Sequence, residues 1–163
     1  MNMKWKTYIS IMLSILLLAL LAGCSKPHTT SAPEAASQTI TDMAGRKVEI
    51  PTTIDKVYST SATGSVFLYT LAPEKLAGWN SDLRDKEKRF IDPKYQTLPV
   101  LGRWQGSTPT GSIEDLLKAN PDIIISVGDV SPEYINDADA IQEQTRIPVI
   151  MLDGSCQKHR AFL

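Results

Sequence analysis

From residue 55 onward, short apolar runs alternate with amphipathic stretches, and this alternation constrains the fold more than any other feature of the sequence. Residues 123–127 (IIISV) and 147–152 (IPVIML) form continuous apolar runs, which are typical of strands buried on both faces of a parallel sheet. Residues 56–60 predict a further short strand. Strands separated by helical stretches predict a single three-layer α/β lobe with a mainly parallel sheet and right-handed crossovers.

Three amphipathic stretches predict the helices between these strands. The first covers residues 65–72, the second begins at Ser112 as its N-cap, and the third begins at Ser131. Their predicted faces are Val66, Phe67, Thr70 and Leu71 for the first helix, Ile113, Leu116 and Leu117 for the second, and Tyr134, Ala138, Ile141 and Thr145 for the third.

Smaller extended elements complete the predicted lobe. Residues 38–51 contain two alternating runs on either side of Asp42-Met43-Ala44-Gly45, and Gly45 can adopt a positive φ, so we expect a hairpin there. Residues 75–79 predict a strand, and residues 97–102 a short extended segment. The polar stretch between them, residues 80–95, mixes charges of both signs and is typical of a solvated helix and loop.

The segment before Cys24 has the layout of a secretory signal peptide. Lys4 and Lys6 give it a basic start, residues 8–21 are apolar and uncharged, and small residues precede the cysteine. The apolar run is shorter than the roughly 20 residues that span a bilayer. Leu-Ala-Gly-Cys resembles the bacterial lipobox, whose cysteine is acylated and becomes the new N-terminus. We therefore predict a signal peptide over residues 1–23 and a lipid anchor on Cys24; an ordinary signal peptide with an incidental cysteine is the alternative.

Composition limits what the mature protein can do. The chain carries 17 basic and 18 acidic residues without a basic cluster, so nucleic acid is not an expected partner. Residues 24–37 are rich in Ser, Thr, Ala and Pro and predict a flexible tether, followed by the lobe over residues 38–155. With Cys24 acylated, Cys156 has no partner, so no disulfide is predicted.

No catalytic set can be assembled from the sequence. The two histidines, His28 and His159, lie in the tether and the tail, so a Ser-His-acid arrangement is not available. No phosphate-binding glycine motif and no His/Cys cluster for a metal occur. We therefore expect a binding protein that is not an enzyme and has no cofactor.

Ligands of open α/β sheets bind beyond the carboxyl ends of the strands, and small, aromatic and polar residues follow the predicted strands there. The candidate ligand-binding residues are Ser61, Thr63, Trp79, Arg103, Trp104, Gln105 and Asp129, with Asn80 beside Trp79. Four of them have a simpler interpretation. The two tryptophans can be packing residues, Arg103 an ordinary surface charge, and Asp129 a turn residue.

Three features together resemble the iron-siderophore/haem/cobalamin class of ABC-transporter substrate-binding lipoproteins. They are the strand at 56–60 with its small-residue turn, the Trp-Gln-Gly at 104–106, and residues 112–125 (SIEDLLKANPDIII), which resemble a signature of that family. The resemblance implies that Glu114 pairs with arginines on a permease and that Trp104 faces the ligand. It implies a metal-chelate ligand; since no tyrosine stands in an obvious position to ligate haem iron, a siderophore or corrinoid is expected before haem. Residues 107–111 are additional relative to the family pattern.

By this resemblance, residues 38–155 are the amino lobe of a membrane-anchored, extracytoplasmic component of an ABC importer. Family members continue into a second lobe, whereas the match here stops near residue 154, and we expect a truncated or frameshifted product with residues 156–163 as its tail. The first alternative is an envelope module that binds a partner protein and no ligand. The second is an envelope enzyme, which the missing nucleophile and base disfavour.

Overall fold

The structure is a computed structural model that describes residues 36–104 and 108–154. The predicted signal peptide, Cys24, Gln105 and the tail at 156–163 lie outside the described residues, as does nearly all of the tether. Within the described part of the chain, no helix has the length and hydropathy needed to cross a membrane. The elements are β1 (Ser37–Thr41), β2 (Lys47–Pro51), β3 (Val57–Ser59), α1 (Ala62–Leu71), a 3-10 helix (Pro73–Lys75), α2 (Asp85–Lys88), α3 (Pro93–Gln96), α4 (Ile113–Ala119), β4 (Ile123–Gly128), α5 (Pro132–Thr145) and β5 (Val149–Asp153).

The central sheet is parallel, as predicted, with strand order β3-β4-β5. It continues past β3 through two isolated parallel bridges, Val57 with Leu76 and Trp79 with Val100. The strand predicted at 75–79 is therefore reduced to single bridges. Lys75, the first residue of the predicted strand, belongs to the 3-10 helix instead. At Trp79 the chain turns away from β3, and the Trp79 backbone N–H donates to the Pro99 carbonyl at 2.9 Å.

Helices and the hairpin cover the two faces of the sheet, so the predicted three layers are confirmed. On one face, the buried side chains of Ile124 and Met151 pack with α4 and α5 through Leu116 and Ile141. On the other face, the sheet packs against α1 and against the β1–β2 hairpin; the buried members there include Ile123, Ile125, Leu68, Val48 and Ile50. The hairpin is antiparallel, and Gly45 has the predicted positive φ, at 82°.

The orientation of α1 differs from the prediction. The helix buries Gly64, Ser65 and Leu68, while Val66, Phe67 and Leu71 of the predicted face are 60%, 49% and 67% exposed. Gly64 explains the rotation, because a Cβ there would overlap the Ser59 side chain and lie 2.9 Å from Val127. The helix thus approaches β3 and β4 through its small residues, and its large apolar residues point away.

The two later helices agree more closely with the sequence. In α4, Leu116 is fully buried, whereas Leu117 is 45% exposed, so the predicted stripe is narrower than expected. Ser112 caps this helix by accepting a hydrogen bond from the Asp115 N–H at 3.3 Å. In α5, Ala138 and Ile141 are buried as predicted.

The turn of the hairpin covers the free edge of β5. The Asp42 carboxylate accepts hydrogen bonds from the Arg46 side chain at 2.9 Å and from the Met151 N–H at 3.2 Å, and the Met43 N–H donates to the Met151 carbonyl. Arg46 also contacts Asp139 on α5. Burial raises the pKa of Asp42, but the hydrogen bonds from Arg46 and Met151 outweigh it, so the pKa lies below the ordinary value. Exposed sheet edges invite pairing with other chains, and this network closes one.

Candidate ligand-binding site

The carboxyl ends of β3, β4 and β5 meet at one edge of the sheet, where the candidate residues were expected. Two hydrogen bonds join the loops that leave this edge: the Thr60 N–H donates to the Ile125 carbonyl at 3.0 Å, and the Gly154 N–H donates to the Gly128 carbonyl at 2.8 Å. The edge is therefore a fixed platform from which the following loops project.

Ser61 and Thr63 follow β3 but have different environments. Ser61 is the N-cap of α1; its hydroxyl accepts from the Gly64 N–H at 3.3 Å and donates to the Val127 carbonyl at 3.0 Å. Because this hydroxyl is used internally, Ser61 ties α1 to β4. Thr63 is exposed in the first turn of α1 and is the member of the pair that faces solvent.

Arg103 and Trp104 lie at the same edge, directly after a kink in the chain at Gly102. Gly102 has a φ of 78°, and a Cβ there would overlap the Thr110 carbonyl, so the kink requires glycine. The Trp104 N–H donates to the Thr60 carbonyl at 2.9 Å, and the Arg103 carbonyl accepts from the Thr110 N–H at 2.9 Å. The Arg103 side chain remains exposed.

The Trp104 side chain is half-buried and packs against the core beneath it. Its indole lies directly over Gly111, where any Cβ would overlap the ring. Backbone and side chain of Trp104 are thus both positioned by the lobe, and part of the ring remains open to solvent.

Asn80 is the organising residue of this edge, although it is only 5% exposed. Its amide nitrogen donates to the Ser59 carbonyl at 2.8 Å and to the Gly102 carbonyl at 2.9 Å, and its amide oxygen accepts from the Ser65 hydroxyl. One side chain therefore connects the end of β3, the first turn of α1 and the kink before Arg103. Its place directly after a predicted strand marked it as an edge residue, but no sequence pattern indicates this internal role.

Tyr58 supports the same kink from inside the core. Its hydroxyl donates to the Gly102 carbonyl and accepts from the Asn80 amide at 3.3 Å. Burial raises the pKa of Tyr58 well above its usual range, and the polar groups of Asn80 and Trp104 only partly oppose this effect. The phenol therefore stays neutral, and its O–H remains a hydrogen-bond donor to the Gly102 carbonyl. Nothing in the sequence distinguished Tyr58 from an ordinary strand residue.

The remaining candidates do not join this open group. Trp79 is 5% exposed within the core, where its indole N–H donates to the Tyr95 carbonyl at 2.8 Å and its ring lies 5.7 Å from that of Tyr69. The Asp129 carboxylate accepts from the Ser131 N–H at 2.9 Å, as a turn residue does. Glu114 is exposed in the first turn of α4.

The structure thus places Thr63, Arg103 and Trp104 on segments that follow the carboxyl edge, where the Trp104 backbone bonds to Thr60, and Asp129 stands after the adjacent strand β4. Ser61 and Asn80 lie beneath them as supports. Over residues 36–104 and 108–154, no group of three or more His, Cys, Asp or Glu side chains is placed to hold a metal ion. The open group offers a cation, a hydroxyl and an aromatic ring, which suit binding by stacking and hydrogen bonds.

Comparison of this fold with solved structures gives several matches, whereas no family model and no curated protein matches the sequence. An ABC transporter solute-binding protein from Sulfurospirillum deleyianum is 25% identical, with a TM-score of 0.58 over 71% of this chain and 36% of that protein. A TroA-like periplasmic binding protein, FepB, from Veillonella parvula is 25% identical, with a TM-score of 0.54 over 71% of this chain and 36% of its own.

The molybdate periplasmic binding protein MolA of Haemophilus influenzae shares the fold at 22% identity, with a TM-score of 0.53. The match covers 71% of this chain and 34% of that protein. The chain thus spans about a third of the length of each of these three proteins. The resemblance predicted from the sequence is confirmed in the structure: the described residues have the fold of a lobe of ABC-transporter substrate-binding proteins.

Proposed function

We propose that this chain is a membrane-anchored, extracytoplasmic solute-binding component of an ABC importer, and that its ligand is an iron chelate of the siderophore type or a related corrinoid or haem. The observation that carries the proposal is the open group at the carboxyl edge, where Arg103 and Trp104 are fixed by Gly102 and Asn80. The fold shared with solute-binding proteins supports it.

The ligand contacts follow from the chemistry of this edge. Ferric catecholates and many corrinoids present broad, flat or aromatic surfaces, and a half-open indole such as that of Trp104 can stack on them. Arg103 is an exposed cation that attracts an anionic chelate, and it can donate several hydrogen bonds to one oxygen-rich face. Thr63 adds a hydroxyl. Trp79, being buried and fully hydrogen-bonded, packs the lobe and is left out of the contact set.

Anchoring and delivery complete the proposal. A lipid on Cys24 would hold the lobe at the membrane near its permease. Glu114 stands exposed beside Asp115 at the start of α4, in a position from which it can pair with permease arginines. Among the described residues, neither forms an ion pair within the lobe, so both carboxylates are available to a partner.

Calorimetric titration of the protein with a ferric catecholate, cyanocobalamin and haemin tests the proposal. We expect binding of at least one ligand, weakened about tenfold or more by Arg103→Gln, since a charge-assisted hydrogen bond contributes about 1.5–3 kcal/mol. Arg146→Gln is the matched control, because Arg146 is an exposed arginine at the far end of α5. Equal weakening by both substitutions would contradict a role for Arg103.

The alternative is an envelope module that binds a protein partner and no small ligand. The observation that favours it is the exposed apolar face of α1, with Val66, Phe67 and Leu71. Titrations that remain flat with all three ligands, for a protein whose fold is intact by circular dichroism, would favour this alternative over the solute-binding proposal.

A further inference from the structure

A cavity lies beside α5, on the side of this helix that faces Trp104 and Pro109. Its volume is about 510 Å³, within the range of roughly 300–1,000 Å³ that is usual for small-molecule sites. Glu133, Asp137 and Gln144 line it from α5 at spacings that keep them on one helical face. None of the residues assigned to the proposed ligand contacts except Trp104 belongs to it.

The charged side chains that line this cavity are all acidic among the described residues. Glu133 and Asp137 place two carboxylates one helical turn apart on its wall, and no lysine or arginine occurs among the described residues that line it. In the described part of the chain, neither carboxylate has an ion-pair or hydrogen-bond partner. Like charges at this spacing repel each other. A bound cation would remove that repulsion, whereas an anion would meet two uncompensated carboxylates.

The apolar part of the wall favours a cation that carries apolar carbon groups. Trp104 and Tyr134 line the cavity, and both are half-buried against the core, so their rings are held in place. Rigid aromatic rings offer contact area at a low entropy cost, and their faces attract cations. Ile141 and Ala140 extend the apolar surface along α5. A hydrated inorganic ion would leave this surface unused.

We propose that the cavity is a binding site for a small organic cation. The positive group lies at the carboxylates of Glu133 and Asp137, and the apolar body lies against Trp104 and Tyr134. The site shares only Trp104 with the proposed chelate contacts, which depend on the cationic Arg103 and favour anions. It does not depend on the transport proposal, and each can fail without the other.

Titration of the full chain in detergent with acetylcholine and with its neutral carbon isostere, 3,3-dimethylbutyl acetate, tests the charge requirement. The two probes have the same shape and differ by one positive charge. We expect acetylcholine to bind about tenfold more tightly, as two exposed carboxylates and an aromatic face together would produce. Chemical shift changes should centre on α5 and on the Trp104 indole. Equal affinities, or no binding of acetylcholine, would overturn the proposal.

Substitutions on α5 locate the site. Glu133→Gln and Asp137→Asn together should abolish the preference for acetylcholine while leaving the binding of the neutral isostere unchanged. Glu143→Gln is the matched control, since Glu143 is an exposed glutamate of the same helix that does not line this cavity. Circular dichroism melting of each variant separates a lost site from a lost fold. A preference that survives the double substitution, or that Glu143→Gln also removes, would refute the assignment.

Discussion

Replacing Asn80 with alanine tests how the carboxyl edge is held together. The neighbouring segment starts as a sheet partner of β3, with the Ala77 N–H donating to the Val57 carbonyl at 2.8 Å, but Trp79 then turns to Pro99. The Asn80 amide supplies the hydrogen bond that the Ser59 carbonyl would otherwise receive from the sheet. The side chain thus completes a sheet edge at the point where the strand diverges.

The cost of this substitution can be worked out from the groups left behind. Asn80→Ala removes the partner of the Ser59 carbonyl and of the Ser65 hydroxyl, while the Gly102 carbonyl keeps the Tyr58 hydroxyl. A buried polar group without a partner costs about 1–3 kcal/mol, so two such groups predict a loss of about 2–6 kcal/mol in the free energy of unfolding. That is a large share of the roughly 5–15 kcal/mol of a typical domain.

Urea denaturation of the wild type and two variants provides the measurement. Asn136→Ala is the matched control, because Asn136 is exposed within α5 and its removal should change the free energy of unfolding by less than about 0.5 kcal/mol. The emission of Trp104 should also change in Asn80→Ala, since the Gly102 kink loses one of its two supports. A destabilisation below about 1 kcal/mol, or one equal to that of Asn136→Ala, would refute the central role given to Asn80.

Three further predictions concern other parts of the lobe. The pKa of Asp42 is lowered in the folded state, so its carboxylate stabilises the fold fully above the ordinary value of 3.8 and loses that contribution as the pH falls through the lower folded value. The difference in unfolding free energy between wild type and Asp42→Asn should therefore shrink below pH 3.8, which denaturation at a series of acid pH values measures. Gly111→Ala should cost about 1–3 kcal/mol and shift the Trp104 emission, because the new Cβ overlaps the indole. Leu68→Ala should cost about 2–5 kcal/mol in thermal or urea unfolding, whereas Phe67→Ala should cost less than about 1 kcal/mol, and similar costs would contradict the orientation of α1.

The sheet and the hairpin could be predicted because their signals are local. Residues 123–125 are apolar at consecutive positions, which is typical of a strand buried on both faces, and Gly45 stands where the turn needs a positive φ. The orientation of α1 could not be predicted in the same way. Helical periodicity identifies a face by its large apolar residues, but here Gly64 allows close approach to Ser59, a contact between residues of different elements.

The surroundings of the candidate residues could be predicted for some of them and not for others. Topology places whatever follows β3 and β4 at one edge, so Thr63 and Asp129 were assigned there from the order of the elements alone, and Arg103 from the extended segment before it. Trp79 is different, because its direction depends on a hydrogen bond to Tyr95 in a segment whose path the sequence does not reveal. The role of Asn80 rests on three such long-range bonds, which no spacing rule indicates.

Fluorescence titration of Trp104 with a ferric catecholate tests the central claim most directly. The ligand-binding proposal predicts saturable quenching in the wild type that is lost in Trp104→Phe, at a protein stability comparable to that of the wild type. It also predicts that the buried, hydrogen-bonded Trp79 contributes only an unquenched background. Absence of saturable quenching with a ferric catecholate, cyanocobalamin and haemin, or quenching that persists unchanged in Trp104→Phe, would contradict a ligand site at the carboxyl edge of this sheet.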